Sequence, residues 1–136
     1  MMRRVVLGLL VVFALGSSAF AADLPPNMTQ YYIGILMRGP KWTAEKSPEV
    51  TKIQEGHLGH LDAMWKAGKL VLAGPLEKAG EWRGVLIYRT KTLEEAQQLA
   101  NDDPAVKAGR LQVTMYGWWV ERGILPDPLE KPKDTP

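Results

Sequence analysis

The stretch Gly56-His57-Leu58-Gly59-His60 holds both histidines of the 136-residue chain, three positions apart. Imidazole is the side chain whose ordinary titration falls nearest neutrality, so it can accept a proton and return it, or bind a metal. The surrounding run KIQEGHLGHLDAMWKAGK reads as a helix with one apolar side. Stepping about 100° per residue from His57 puts Val50 and Met64 about 20° away, Ile53 and Leu61 about 40°, and His60 about 60°. His57 thus sits in the middle of the buried stripe, where Leu would pack better, and His60 sits on its shoulder. The structural alternative is a core histidine that donates to a backbone carbonyl.

A second group bears on His57. In NDDPAVKAG, Asp102 and Asp103 stand before Pro104 near the end of the second helical pattern. Proline pushes the preceding residue out of helical geometry, so the helix bends or breaks at Asp103. A carboxylate at such a break can turn inward and hold one nitrogen of a buried ring. That fixes the tautomer and leaves the other nitrogen free to move protons. Weaker pocket candidates are Arg38 and Trp42 in MRGPKW, and Gly74 and Pro75 in AGPL. His57 and His60 could share a metal, but no third ligand stands at suitable spacing, so no metal site is expected. There is no dinucleotide fingerprint, no phosphate-cradling glycine loop and no recognisable Ser–His–Asp order, so no cofactor is expected.

The elements that must position these residues are legible. QYYIGILMRG has strand composition, with both faces fairly apolar. Ser47-Pro48-Glu49 gives an N-cap and a first-turn proline for a helix from about Pro48 to Ala67, closed at Gly68. KLVLAGPLE and RGVLIYRT pair as a hairpin around EKAGEW. Thr92 and Glu95 have capping-box spacing for a second helix, and GRLQVTMYGWWV is the last strand. The order β-α-β-β-α-β implies a ferredoxin-like α+β fold: two helices on one face of a four-stranded antiparallel sheet. The other sheet face is apolar, with Tyr116, Trp118 and Trp119 adding aromatic surface, and a homodimer packed sheet to sheet is expected.

The ends differ in kind. MMRR, the apolar run VVLGLLVVFALG and Ala19-Phe20-Ala21 form a secretory signal over residues 1–21. Residues 22–29 form a flexible leader, 30–121 the domain, and 122–136 a Pro-rich tail. The signal's apolar run is too short for a stable span, so the mature protein is expected to be exported, periplasmic or secreted, with no membrane association. The signal contains Arg3 and Arg4 and no acid, so of 17 basic and 15 acidic residues the mature chain keeps fifteen of each. No basic block interleaves with aromatics, which argues against a nucleic-acid partner. The absence of cysteine excludes thiol nucleophiles and thiolate metal sites.

HLGHLDAMWKAGKLVLAGPL, the hairpin strand after it, TLEEA and DDPAVKAG together resemble the YCII-related family, over about Tyr31 to Trp119. The resemblance implies a dimeric α+β barrel built from ferredoxin-like units, as in muconolactone isomerase. It places the family's histidine at His57, not His60, and the aspartate of its D-P element at Asp103. It implies acid–base chemistry by that pair, with a dehydrochlorinase of chlorinated hydroxyquinols among its enzymatic relatives. Glu55-Gly56 replace the Arg-Pro that precedes the histidine in the family, so an anion contact from that Arg does not carry over. The export signal likewise separates this chain from cytoplasmic members and their substrates. The expectation is a cofactor-free isomerase or lyase acting on a small organic molecule, with His57 as acid or base and Asp103 orienting it. The alternatives are a non-catalytic small-molecule-binding module, or a structural dimer with a buried His–Asp hydrogen bond.

Overall fold

The computed structural model describes residues 23–129; the expected signal over residues 1–21 and the last part of the tail lie outside them. Strand β1 (Met28–Arg38) leads to α1 (Pro48–Lys66), then β2 (Leu70–Pro75) and β3 (Trp82–Tyr88). Next come α2 (Leu93–Asn101), the one-turn α3 (Pro104–Lys107) and β4 (Leu111–Glu121). The four strands form one antiparallel sheet in the order β2-β3-β1-β4. This is the ferredoxin-like arrangement, with β1 and β3 central.

Local chemistry sets the helix starts. The Ser47 hydroxyl accepts from Val50 N–H at 3.1 Å, with Pro48 in the first turn. Thr92 accepts from Glu95 N–H at 3.1 Å, but Glu95 reaches back to Lys91 N–H, also at 3.1 Å, rather than to Thr92. The capping pair is therefore reciprocal across one more residue than the spacing predicts. Lys69 Nζ adds an ion pair to Glu95 at 2.6 Å. Together these contacts hold the carboxyl of Glu95 below the usual range, the Lys69 hydrogen bond contributing most.

The core lies between helices and sheet. Tyr32, Leu36, Leu86, Tyr88, Leu111 and Met115 meet Ala96, Ala100 and Ala105 there. The small side chains on α2 and α3 let these elements come close to the sheet. On the outer face Tyr31, Ile87 and Val120 form a second cluster, against which Leu125 of the tail packs. The Tyr31 hydroxyl donates to the carbonyls of Leu125 and Pro126, each at 3.1 Å, and Arg89 Nε donates to Asp127 Oδ1 at 2.8 Å. The tail thus covers one end of the outer face. Leu72, Tyr116 and Trp118 remain exposed there. Trp119 pairs with Gln30 and falls on the opposite face from Trp118, because side chains alternate along a strand. Its indole N–H donates to Gln30 Oε1 at 2.6 Å.

One boundary differs from the sequence reading. Strand β1 begins at Met28, so Met28 and Thr29 belong to the sheet rather than to the leader, paired with Glu121 and Val120. The break expected before Pro104 is present: α2 ends at Asn101 and α3 starts at Pro104.

Candidate active site

His57 projects from α1 with 7% of its surface exposed. Its Nδ1 lies 2.6 Å from Asp103 Oδ2. An ionised carboxylate only accepts, so Nδ1 donates in that bond, and in the neutral ring this leaves the lone pair on Nε2. Nε2 has no hydrogen-bond partner among the described residues.

The break before Pro104 puts Asp103 in place. Asp103 has φ −59° and ψ 128°, outside helical geometry, and caps α3 with Oδ1 accepting from Ala105 N–H at 2.8 Å. Both carboxylate oxygens therefore have a donor, one from backbone and one from the ring. Asp103 is 1% exposed, and a buried carboxylate is tolerated only when satisfied in this way. Gly56, the residue before His57, permits the approach. A Cβ there would stand 3.1 Å from Pro104 Cβ and 3.3 Å from its Cγ. With no side chain at 56, α1 comes up against Pro104 and the ring reaches the carboxylate beside it.

Tyr88 lies fully buried beneath this pair, its hydroxyl without a hydrogen-bond partner among the described residues. Burial pushes its phenol well up, and the charge of Asp103 adds to that. His60 is half-buried and engaged elsewhere: Nε2 donates to the Leu99 carbonyl of α2 at 2.8 Å. It ties helix to helix, a more definite contact than its shoulder position implies. Among the described residues no group of three or more His, Cys, Asp or Glu side chains is placed to hold a metal.

The His57 ring borders a cleft of about 310 Å³. Helix α1 supplies Gln54, His57, Leu58 and Leu61, and the end of β2 supplies Ala73, Gly74 and Pro75. Leu36, Arg83 and Leu111 come from the other strands and Trp42 from the loop after β1. Of the residues proposed from sequence, Trp42, Gly74 and Pro75 line the cleft together with His57, and Asp103 stands behind the ring. Arg38 does not line it; its guanidinium pairs with Glu81 at 3.0 Å and lies 5.5 Å from the Trp42 ring centre.

Arg83 is the lining residue that strand alternation conceals. Regular alternation places it on the outer face with Val85 and Ile87, but the β1–β3 register slips between Leu36 and Met37. Leu36 pairs with Gly84 and Met37 with Trp82, so Arg83 is unpaired. The one available signal was Gly84, an isolated glycine inside a strand pattern. A Cβ at Gly84 would meet the Gly74 carbonyl oxygen at 2.8 Å, so this glycine lets the rim of β2 close on the cleft.

The YCII-related domain pattern matches residues 36–119. No curated protein matches the chain. Among solved structures, 5-chloro-2-hydroxyhydroquinone dehydrochlorinase from Burkholderia phenoliruptrix, in complex with 2,5-dihydroxybenzoquinone, aligns with a TM-score of 0.49 and 23% identity, over 65% of this chain and 92% of that one.

Proposed function

The chain belongs to the YCII-related domain family, and from that premise we propose that it transforms a small organic molecule by acid–base chemistry, with His57 moving the proton and Asp103 orienting its ring. One observation carries the reading: a ring held at Nδ1 by a carboxylate 2.6 Å away, on the wall of a cleft, with Nε2 unpartnered among the described residues. A ring present only to fill the core would have no cleft beside it.

In this reading Nε2 takes a proton from a carbon next to a carbonyl, or from a hydroxyl, of the bound molecule. The electron pair left behind moves onto the carbonyl oxygen. The imidazolium formed is stabilised by Asp103, which stays fixed by Ala105 N–H. Return of the proton at another carbon gives isomerisation; departure of a leaving group instead gives elimination. Both need only side chains of this chain for the proton steps.

Replacement by Asn keeps a polar group at either position. His57→Asn is expected to fold and lose turnover across a panel of small lactones, hydroxyquinones and β-substituted carbonyl compounds, and Asp103→Asn to reduce it. A purely structural pair gives a different result: each variant loses about 1–3 kcal/mol in denaturant melts by orphaning a buried partner, and the wild type turns over nothing.

The same reading includes export after cleavage at Ala21, supported by the order of charged, apolar and small residues at the N-terminus. Mass spectrometry of the exported chain, expected to start at Ala22, tests it. It also includes a homodimer through the outer sheet face, supported by exposed Leu72, Tyr116 and Trp118. Sedimentation as a monomer at micromolar concentration contradicts the dimer.

A further inference from the structure

We propose that the cleft beside His57 recognises a carboxylate and that Arg83, held against Trp42, is the residue that binds it. The inference deepens the functional reading above and rests on it for the use of the cleft, but its test does not depend on catalysis.

The first support is the bulge. The slipped register leaves Arg83 unpaired in the β1–β3 ladder and re-aims its side chain from the outer face to the cleft. Its guanidinium carbon stands 4.7 Å from the Trp42 ring centre, within stacking range. The extra strand residue thus puts an arginine on the lining of the same cleft as His57.

Charge is the second support. The guanidinium carbons of Arg110 and Arg38 stand 4.2 Å and 5.5 Å from the same ring. Arg38 is neutralised by Glu81 at 3.0 Å. Arg110 gives one N–H to the Thr43 carbonyl at 2.8 Å, which satisfies a donor but not a charge. Among the described residues Arg83 has no carboxylate partner, and no Asp or Glu lines the cleft. Arg83 also borders the adjoining groove, where Glu45 and Glu55 stand beside Lys46 and Arg110, but on the cleft side it faces no acid. Like charges gathered on one indole repel, and the ring offsets only part of that. An anion in the cleft completes the arrangement.

Shape gives the ligand class. A guanidinium fork matches a carboxylate through two parallel N–H···O bonds. Leu36, Leu61 and Leu111 supply apolar wall between Arg83 and His57. The volume of about 310 Å³ suits a molecule of about one substituted ring. The ligand inferred is a small carboxylate with a flat or apolar body, anchored at Arg83 and presenting its other end to His57 Nε2.

The test titrates benzoate and isosteric benzamide into the whole ¹⁵N-labelled protein at constant ionic strength, reading the Trp42 indole and His57 ring resonances. Benzoate is expected to shift both saturably and to bind roughly tenfold more tightly than benzamide. Arg83→Gln should abolish that preference, while Arg83→Lys, which keeps the charge without the fork, should retain part of it. His57→Asn should keep the preference, so loss of acid–base turnover and loss of anion recognition are separable. Equal binding of the two probes, a preference that survives Arg83→Gln, or no response at Trp42 to either probe at tens of millimolar overturns the proposal.

Discussion

Gly56 is the position where a single methyl group should test how the site is assembled. A Cβ at residue 56 stands 3.1 Å from Pro104 Cβ and 3.3 Å from Pro104 Cγ, against ordinary carbon contacts of about 3.5–4.0 Å. Gly56→Ala must therefore separate α1 from the start of α3 by about 0.4 Å. Alanine gains about 1 kcal/mol over glycine inside a helix, and overpacking costs about 1–3 kcal/mol. The net loss of stability is then between zero and about 2 kcal/mol. The consequence at the site is more specific. His57 follows Gly56 and Asp103 precedes Pro104, so the gap opens along the hydrogen bond, from 2.6 Å toward about 3.0 Å, still within bonding range. Gly56→Val, bulkier and β-branched, should open it past that range. The assay is the His57 Nδ1 proton in ¹H–¹⁵N spectra, expected to move upfield in the Ala variant and to vanish by exchange in the Val variant. Turnover should fall in the same order, approaching about 100-fold for a displacement near 1 Å. An unmoved Nδ1 resonance in Gly56→Ala, alongside a lowered melting temperature, refutes the claim that this glycine sets the distance.

Three other substitutions bear on the same architecture. Tyr88→Phe removes a buried hydroxyl that has no partner among the described residues, so chemical denaturation should show stability unchanged or raised; a loss above about 1 kcal/mol means that the hydroxyl is bonded. His60→Gln should cost about 0.5–1.5 kcal/mol through the lost bond to the Leu99 carbonyl, with turnover retained. Glu95 has its folded pKa lowered from 4.5, so its contribution is present above the unfolded value and lost as pH falls through the folded one. Glu95→Gln should be less stable than wild type at pH 7 by a few tenths to about 1 kcal/mol, and urea melts of the two should converge as pH falls through the lowered folded value.

The fold was readable because alternation and helical periodicity seldom conflict in this chain. Ser47-Pro48 and Thr92 each start a helix, and the proline at 104 splits the second pattern where its steric effect requires. His57 stood out because an imidazole in the middle of an apolar stripe has a desolvation cost that a partner must offset. Other features depend on tertiary register. Period-two alternation separates Trp118 from Trp119, but which face the tail covers follows from Tyr31 bonding to Leu125 and Pro126. Arg83 reaches the cleft through a bulge that no alternation rule contains. Arg38 was drawn away by Glu81, more than forty positions on in sequence, a pairing that only the β1–β3 ladder brings about. His60 found a carbonyl on α2 because the two helices pack side by side, which the angle on one wheel does not convey.

Proton exchange tests the central claim without knowledge of the natural substrate. Small carbon acids bearing a carboxylate are incubated with the protein in D₂O, and loss of the C–H signal is followed by proton NMR. The account predicts that wild-type protein accelerates deuterium incorporation into at least one of them, that His57→Asn reduces this to the buffer rate, and that Asp103→Asn leaves a rate in between. Exchange in wild type no faster than in His57→Asn across the panel, with both proteins equally folded, would contradict a proton-transferring role for His57.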